Sequence, residues 1–281
     1  MIDLHTHSAI SDGTQTPTEL MASAREAGLI CVGLTDHDTV AGWEEAARAV
    51  SDTGVSLVRG MEVTSHYNDA GARVSVHMLA YLFDPTAPAL AAHRERLLAS
   101  RADRARQIVE RLSEDFPLSW DDVVAGEGAV VGRPHIADAL IAAGVVSSRE
   151  EAFADLLHPR GKYYVPNYSP DVFDVISWIN DAGGRAVFAH PMAAKRGKTV
   201  PLSALDTMAE AGLFGVEVNH RDNPPHLREA LASRARALEL FQFGSSDYHG
   251  AGKPNRLGEN TTDSDTLAAL EQGAFLEVVH P

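Results

Sequence analysis

Six short segments carry most of the residues that could do chemistry: His5-Thr6-His7, Asp36-His37-Asp38, Glu62, His77, His190-Pro191 and Asp247-Tyr248-His249. In an extended chain residues i and i+2 share a face, so His5 and His7 can reach one ion. Alone, such a pair is equally a feature of a core or a surface. Joined by histidines and carboxylates from the other segments, it reads as a polynuclear metal site. Mixed imidazole and carboxylate donors suit Zn²⁺, Mn²⁺ or Fe²⁺, whereas all-oxygen sets suit Mg²⁺ and Ca²⁺. The donors outnumber what one ion takes, which implies two or three ions. Paired metals ionise a water and stabilise both oxygens of a displacement. That chemistry favours hydrolysis of a phosphoester, and less readily of an amide.

The elements that must position these residues follow from the apolar pattern. Strands are expected at 2–6, 29–35, 56–64, 74–82, 185–189, 215–218, 240–244 and 275–279. Between them, helices are expected at 41–50, 87–112, 171–182, 202–211, 226–238 and 266–272. The first helix opens on Thr16-Pro17-Thr18-Glu19, an N-cap followed by Pro and an acid three residues on, and stops at Gly28. The alternation implies an α/β fold with a mostly parallel sheet. About seven such units give a closed or nearly closed barrel, with an open doubly wound sheet as the alternative. The donor segments then fall at strand ends, which converge on one rim of such a barrel. Residues 101–167 break the pattern with short helices at 121–125, 134–143 and 149–157. This stretch reads as a helical insertion between barrel segments 1–100 and 168–281.

Composition narrows the partners. The chain has 281 residues, 44% of them apolar, and a net charge of −15 from 24 basic and 39 acidic residues. This is the make-up of a folded domain, and its acidity disfavours capture of long duplex DNA by backbone charge. A small phosphorylated substrate or a short RNA end remains compatible. The single Cys31 excludes an internal disulfide and a cysteine zinc site. No apolar run is long enough to span a membrane, and the first residues do not read as a signal peptide. A cytoplasmic enzyme with no obligate protein partner is expected.

The full set, His5-x-His7 with Asp12, Asp36-His37-Asp38, Glu62, His77, His190-Pro191 and Gly244-Ser245-Ser246-Asp247-Tyr248-His249, resembles the PHP (polymerase and histidinol phosphatase) family of metal-dependent phosphoesterases. The resemblance implies a distorted (β/α)7 barrel with a small helical cap and a trinuclear centre. It implies His5, His7, Glu62 and Asp247 around a first ion. Glu62, His77 and His190 would hold a second, and Asp12, His37 and His249 a third. Glu62 would bridge two ions. Glu62, Asp247 and His190 are the candidate catalytic residues. Asp12 stands where some members have histidine, which favours Mn²⁺; Zn²⁺, Fe²⁺ and Mg²⁺ are the alternatives. Asp38 has no ligand role and is expected to orient a histidine.

Within that family, Gly132-Arg133-Pro134-His135 and Gly161-Lys162-Tyr163-Tyr164 are similar to segments of enzymes that remove the 3'-phosphate of nucleoside 3',5'-bisphosphates. Some relatives also degrade short oligoribonucleotides 5'→3'. Arg133, His135 and Lys162 are therefore expected to contact substrate, joined by His220 and Arg221 from the loop after another strand. A histidinol-phosphate-type phosphatase and a metal-dependent amidohydrolase are the alternative enzymes, and a non-catalytic metal-binding module is a further reading. No lysine lies in the expected strands, so a carboxylated lysine of the amidohydrolase kind has no candidate. His66, His93, His158, His226 and His280 are expected to be solvated or structural, with His93 on a polar helix face. The charged run that includes Arg101 and Arg104 is expected to be solvated.

Overall fold

The computed structural model describes residues 1–123 and 131–281. Seven strands form one sheet in sequence order: β1 Ile2–Thr6, β2 Cys31–Leu34, β3 Ser56–Asp69, β4 Ala72–Tyr81, β5 Arg185–Phe188, β6 Gly215–Asn219 and β7 Phe241–Gly244. The sheet nearly closes. The His7 amide donates to the Tyr248 carbonyl beyond β7 at 2.8 Å, and the Tyr81 hydroxyl on β4 donates to Leu4 O on β1 at 2.8 Å. Side chains alternate between two apolar clusters, one on each face. Cys31, Val58, Leu79 and Val187 join Leu4 and Phe243, while Val32, Leu57, Met78 and Ala186 pack beneath the helices.

The helices are α1 Pro17–Glu26, α2 Trp43–Arg48, α3 Val50–Thr53, α4 Pro88–Ser113, α5 Arg133–Ala142, α6 Arg149–Ala154, α7 Val172–Asp181, α8 Ala204–Glu210, α9 Pro225–Ala237 and α10 Ser264–Glu271. The capping box expected at Thr16 and Glu19 is formed, and Gly28 adopts φ +75° just after α1. The expected helix 121–125 is a short 3₁₀ turn at Trp120–Asp122, and positions 124 and 125 lie outside the described residues.

The sheet is mostly parallel as expected, with one exception and one correction. β4 runs antiparallel to both β3 and β5, while the other four strand pairings are parallel. The tight Ala70-Gly71 turn joins β3 to β4 directly, leaving no room for a crossover helix. Segment 275–279 is not a strand; only Val279 bridges to Leu57.

The insertion has its own apolar cluster, in which Ile108, Leu112, Ile136, Leu140 and Tyr163 are buried together. Helix α4 serves both bodies. Its Leu90 and Leu97 pack in the barrel core, and its Ala105 to Leu112 end packs in the insertion.

Candidate metal centre

β1 delivers His5 and His7 to one rim, where both are fully buried. Their protonation can be traced through their partners. His5 Nδ1 meets the Glu217 carboxylate at 2.9 Å. A carboxylate only accepts, so this nitrogen carries the proton. His7 Nδ1 lies 3.4 Å from Ser11 Oγ, whose own proton goes to Asp36. Both Nε2 atoms therefore present lone pairs, and they face each other at 3.1 Å. Glu62 Oε2 and Asp247 Oδ1 complete the group, with nitrogen–oxygen separations from 3.0 to 3.4 Å. Four acceptors at such spacing repel one another. Around an ion with ligands at ~2.1 Å, tetrahedral donors stand roughly 3.4 Å apart, so the group fits a divalent cation.

A second group has the same logic. His249 Nδ1 donates to the Asp247 carbonyl at 2.9 Å, so its Nε2 lone pair faces Asp12 Oδ1 at 3.1 Å. Among the described residues neither atom has a hydrogen-bond partner, although both are buried. His37 and His7 stand in the same group. A third group joins His37, Glu62 and His77. Glu62 lies at the centre of all this. Its Oε1 meets His77 Nδ1 at 2.6 Å and His190 Nε2 at 3.1 Å, while Oε2 turns to His5 and His7.

These groupings differ in detail from the partition that the resemblance implies. His7 and His37 each belong to two groups, and His190 touches the centre through Glu62. Glu62 does not end its strand; β3 continues to Asp69, and Glu62 sits where β2 gives out, bridging His37. His77 is likewise mid-strand, on the antiparallel β4.

The electrostatics are those of a site built for positive charge. Burial disfavours a charged His5, yet Glu217, Glu62 and Asp247 hold its pKa well above the usual value. Burial is likewise outweighed at His7, which Asp247 and Glu62 raise to about 9. A divalent cation answers the same field without a proton. His190 and His249 go the other way. Burial, aided by Arg196 and Lys253 respectively, takes them down to about 3 and about 4, which leaves neutral imidazoles. Backbone strain gathers here too: Asp38, His190 and Asp247 have φ of 56°, 31° and 54°.

Several residues around the centre have no role assigned in the sequence reading. Glu217 on β6 accepts hydrogen bonds from His5 Nδ1, the His190 amide at 2.7 Å and the Ser245 hydroxyl. Its signal was a lone acid in the apolar run 215–218. Asp36 accepts from the Ser8 amide and the Ser8 and Ser11 hydroxyls, fixing the loop that carries Asp12. Arg196 at 2.5 Å and Lys253 at 3.0 Å both reach Asp247 Oδ2, the oxygen turned away from His5 and His7. No motif marked either one.

Asp38 does not orient a histidine. It accepts from the Thr64 amide and hydroxyl and pairs with Arg101 at 3.0 Å. Arg101 and Arg104 are accordingly half-buried rather than solvated. Nor does His93 lie on a polar face, since its ring packs 3.5 Å from that of Trp178.

The expected substrate contacts divide. His220 is buried beside the centre, its Nε2 3.9 Å from Asp247 Oδ2. His135 lies within electrostatic reach of Asp12, and Arg133 of Arg101. Lys162 and Arg221 are not brought in. Lys162 is exposed and tied to Asp115, just past the C-terminal end of α4, whose Ser113 lies roughly 18 Å along the helix axis from Arg101. Arg221 forms a two-pronged pair with Glu259. The Lys162 ammonium and the Arg221 guanidinium are each paired with a carboxylate outside the donor groups.

The PHP domain family model matches residues 3–148, more than half of the chain. The chain belongs to the PHP domain family. This PHP protein is 32% identical to a 3',5'-nucleoside bisphosphate phosphatase of Chromobacterium violaceum, over 93% of this chain and 92% of that one. It is 33% identical to a 5'-3' exoribonuclease of Haemophilus influenzae, over 94% and 96%. Among solved structures, one from Bifidobacterium adolescentis designated a metal-dependent phosphoesterase superposes with a TM-score of 0.93 at 45% identity, covering 97% of this chain and 96% of that one. An amidohydrolase from Chromobacterium violaceum with bound sulfate gives 0.84 at 29% identity, covering 100% and 98%.

Proposed function

We propose that this PHP protein is a metal-dependent phosphoesterase whose substrate is the 3'-phosphate of a nucleoside 3',5'-bisphosphate. Hydrolysis of short oligoribonucleotides from the 5' end is the second activity. One observation carries the reading: buried lone pairs of His5 and His7 face each other, and that of His249 faces Asp12, arrangements that a cation relieves. The relatives named above supply the substrate class.

Three divalent ions are assigned. His5, His7, Glu62 and Asp247 would hold the first, Glu62, His77 and His190 the second, and Asp12, His37 and His249 the third. Mn²⁺ is preferred, since Asp12 makes the third set richer in oxygen. Divalent ions held there would supply Lewis acidity for the phosphoryl oxygens and for a water. The protein does the rest. Glu217 fixes the His5 tautomer and aims its Nε2 at the centre. Glu62 holds two donor groups in register through its two oxygens. Arg196 and Lys253 keep Asp247 ionised and aligned; its carboxyl is held well below the usual range despite burial. His220 carries its proton on Nε2, because Nδ1 accepts from the Asp222 amide, and so faces the rim as a donor. The insertion 101–167 acts as a cap, with Arg133 and His135 turned toward the substrate.

An amidohydrolase function is disfavoured because, among the described residues, no strand contains a lysine that could be carboxylated to hold metals. The test is phosphate release by the Mn²⁺-loaded protein from a 3',5'-bisphosphate, histidinol phosphate and a 5'-phosphorylated oligoribonucleotide. Preferential release from the bisphosphate is expected. Equal and feeble turnover of all three would overturn the assignment.

A further inference from the structure

Beyond α4, the cap is tied to the barrel at one point. Among the described residues, every buried apolar side chain of 131–157 belongs to the insertion's own cluster. The one hydrogen bond from this stretch to the barrel runs from Arg149 Nη1, at the start of α6, to the Gly252 carbonyl at 3.1 Å. The guanidinium is held side-on for it. Nε and Nη2 donate to the two oxygens of Asp138 on α5, at 2.6 and 2.5 Å, which leaves Nη1 for the carbonyl. A planar fork can serve a carboxylate along one edge and a third acceptor beside it, whereas an ammonium is a point charge. The joint also has no slack, because a Cβ at Gly252 would stand 2.7 Å from Nη1.

Gly252 lies three residues beyond His249, in a loop stitched to the one that carries Asp12. The Thr14 amide donates to His249 O at 3.1 Å, and the Thr14 hydroxyl accepts from the Ala251 amide at 2.9 Å. Between them Gly250 turns at φ +65°, where a side chain would fall on Thr14 Oγ1. Asp247, at φ 54°, opens the same loop. Backbone of this kind keeps its shape only when its surroundings fix it. Thr14 fixes it from the barrel and Arg149 from the cap. The two loops bring Asp12 and His249 to 3.1 Å, in one donor group with His7 and His37. Asp12 is also within electrostatic reach of Arg149. A cavity of about 410 Å³ opens beside the joint, lined by Thr14, Asp138, Ile141, Arg149, Ala251 and Gly252. The cap thus meets these loops through a directed bond with open space beside it.

We infer that Arg149 is a clamp through which the cap holds the Asp12 and His249 loops, and so sets how tightly their donor group keeps a divalent ion. This rests on the metal-centre reading and adds a residue that tunes one group of donors from outside. Arg149 touches neither a donor atom nor the rim; it is a positioning residue. The group of His5, His7, Glu62 and Asp247 is anchored differently, by Glu217 at His5 and by Arg196 and Lys253 at Asp247. The clamp therefore acts on one class of ion and spares the others.

The test is calorimetric titration of the full chain with Mn²⁺, together with amide exchange in the metal-free protein. Arg149→Ala is expected to weaken one class of bound Mn²⁺ about tenfold, the scale on which groups that orient ligands act, and to leave the other classes unchanged. In the metal-free protein the same change should speed exchange at the Thr14 and Ala251 amides while β1–β3 keep their protection. A second variant separates a clamp from a surface ion pair. Leu140→Ala loosens the insertion's core, so it should weaken the same class in the wild-type background and add nothing in Arg149→Ala. Should Leu140→Ala not fold, Asp138→Asn, which slackens the fork alone, is judged by the same two comparisons. An unchanged titration, equal weakening of every class, or a second change that acts undiminished without Arg149 would overturn the clamp. If the wild type binds no Mn²⁺, the metal reading fails on its own. The hold on the loops is then decided by exchange: unaltered protection at Thr14 and Ala251 in Arg149→Ala overturns it.

Discussion

At the scale of single residues, the centre depends on groups that never touch an ion. Glu217 fixes which nitrogen of His5 is protonated, and removing its charge releases that constraint. Glu217→Gln is expected to weaken metal binding ~10- to 100-fold, read by titration of Mn²⁺ with activity or calorimetry as the signal. Glu62→Gln is a different kind of change, because both oxygens of Glu62 face histidines. It should leave the protein folded but with fewer bound ions by elemental analysis, and abolish phosphate release. Full activity at full metal content would remove Glu62 from the centre. Cys31 is a control from the opposite extreme. Burial, helped by Glu271, pushes its thiol up to about 12, so the reactive thiolate is absent at neutral pH. A disulfide exchange reagent should find no thiol in the native protein and one per chain in guanidinium.

The candidate metal ligands were legible because histidines and carboxylates recur in six short segments spread along the chain, most of them at strand ends or in turns. Residues such as Glu217, Arg196 and Lys253 were not. A lone acid in a short apolar strand looks like a solvated edge until the opposite histidine is in place. Arg101 and Arg104 were misread for the same reason, since i,i+3 spacing on a charged helix describes a solvated face and a buried seam equally well.

At the scale of elements, the sheet shows where pattern fails. Every strand of the barrel could be seen in the apolar runs, but not the direction of β4. Parallel and antiparallel strands carry the same short apolar signal, and the two-residue turn at Ala70-Gly71 was the only clue. Close approach of β1 and β2 is equally invisible in the sequence. A side chain at Gly33 would fall on the Leu4 carbonyl, between the first donor strand and its neighbour. Gly33→Ala is expected to cost about 1–3 kcal/mol in denaturant unfolding and to lower metal affinity by displacing β1. The cap offers the complementary test. Leu140 is fully buried in the insertion's own cluster. Leu140→Ala should cost about 2–5 kcal/mol locally, raising amide exchange in α5 while β1–β3 keep their protection.

For the molecule as a whole, the metal groups draw on widely separated parts of the chain, so bound ions are cross-links. Anything that binds the folded state alone stabilises it by mass action. Chelation should therefore lower the thermal midpoint, and restored Mn²⁺ should raise it again; a midpoint indifferent to chelator would mean that the ions do not bridge the barrel.

The closure of the sheet has a consequence for how the protein is made. In synthesis His5 and His7 precede their partners Asp247 and His249 by more than two hundred residues. β1 also waits for the far end of the chain, since the Thr262 amide donates to Ile2 O and the Ser246 amide to Asp3. A nascent chain arrested before Asp247 would hold its first histidines without the carboxylate that completes their group. The donor group of His5, His7, Glu62 and Asp247 is thus complete only once Asp247 has been added, and a product truncated before it would lack that group.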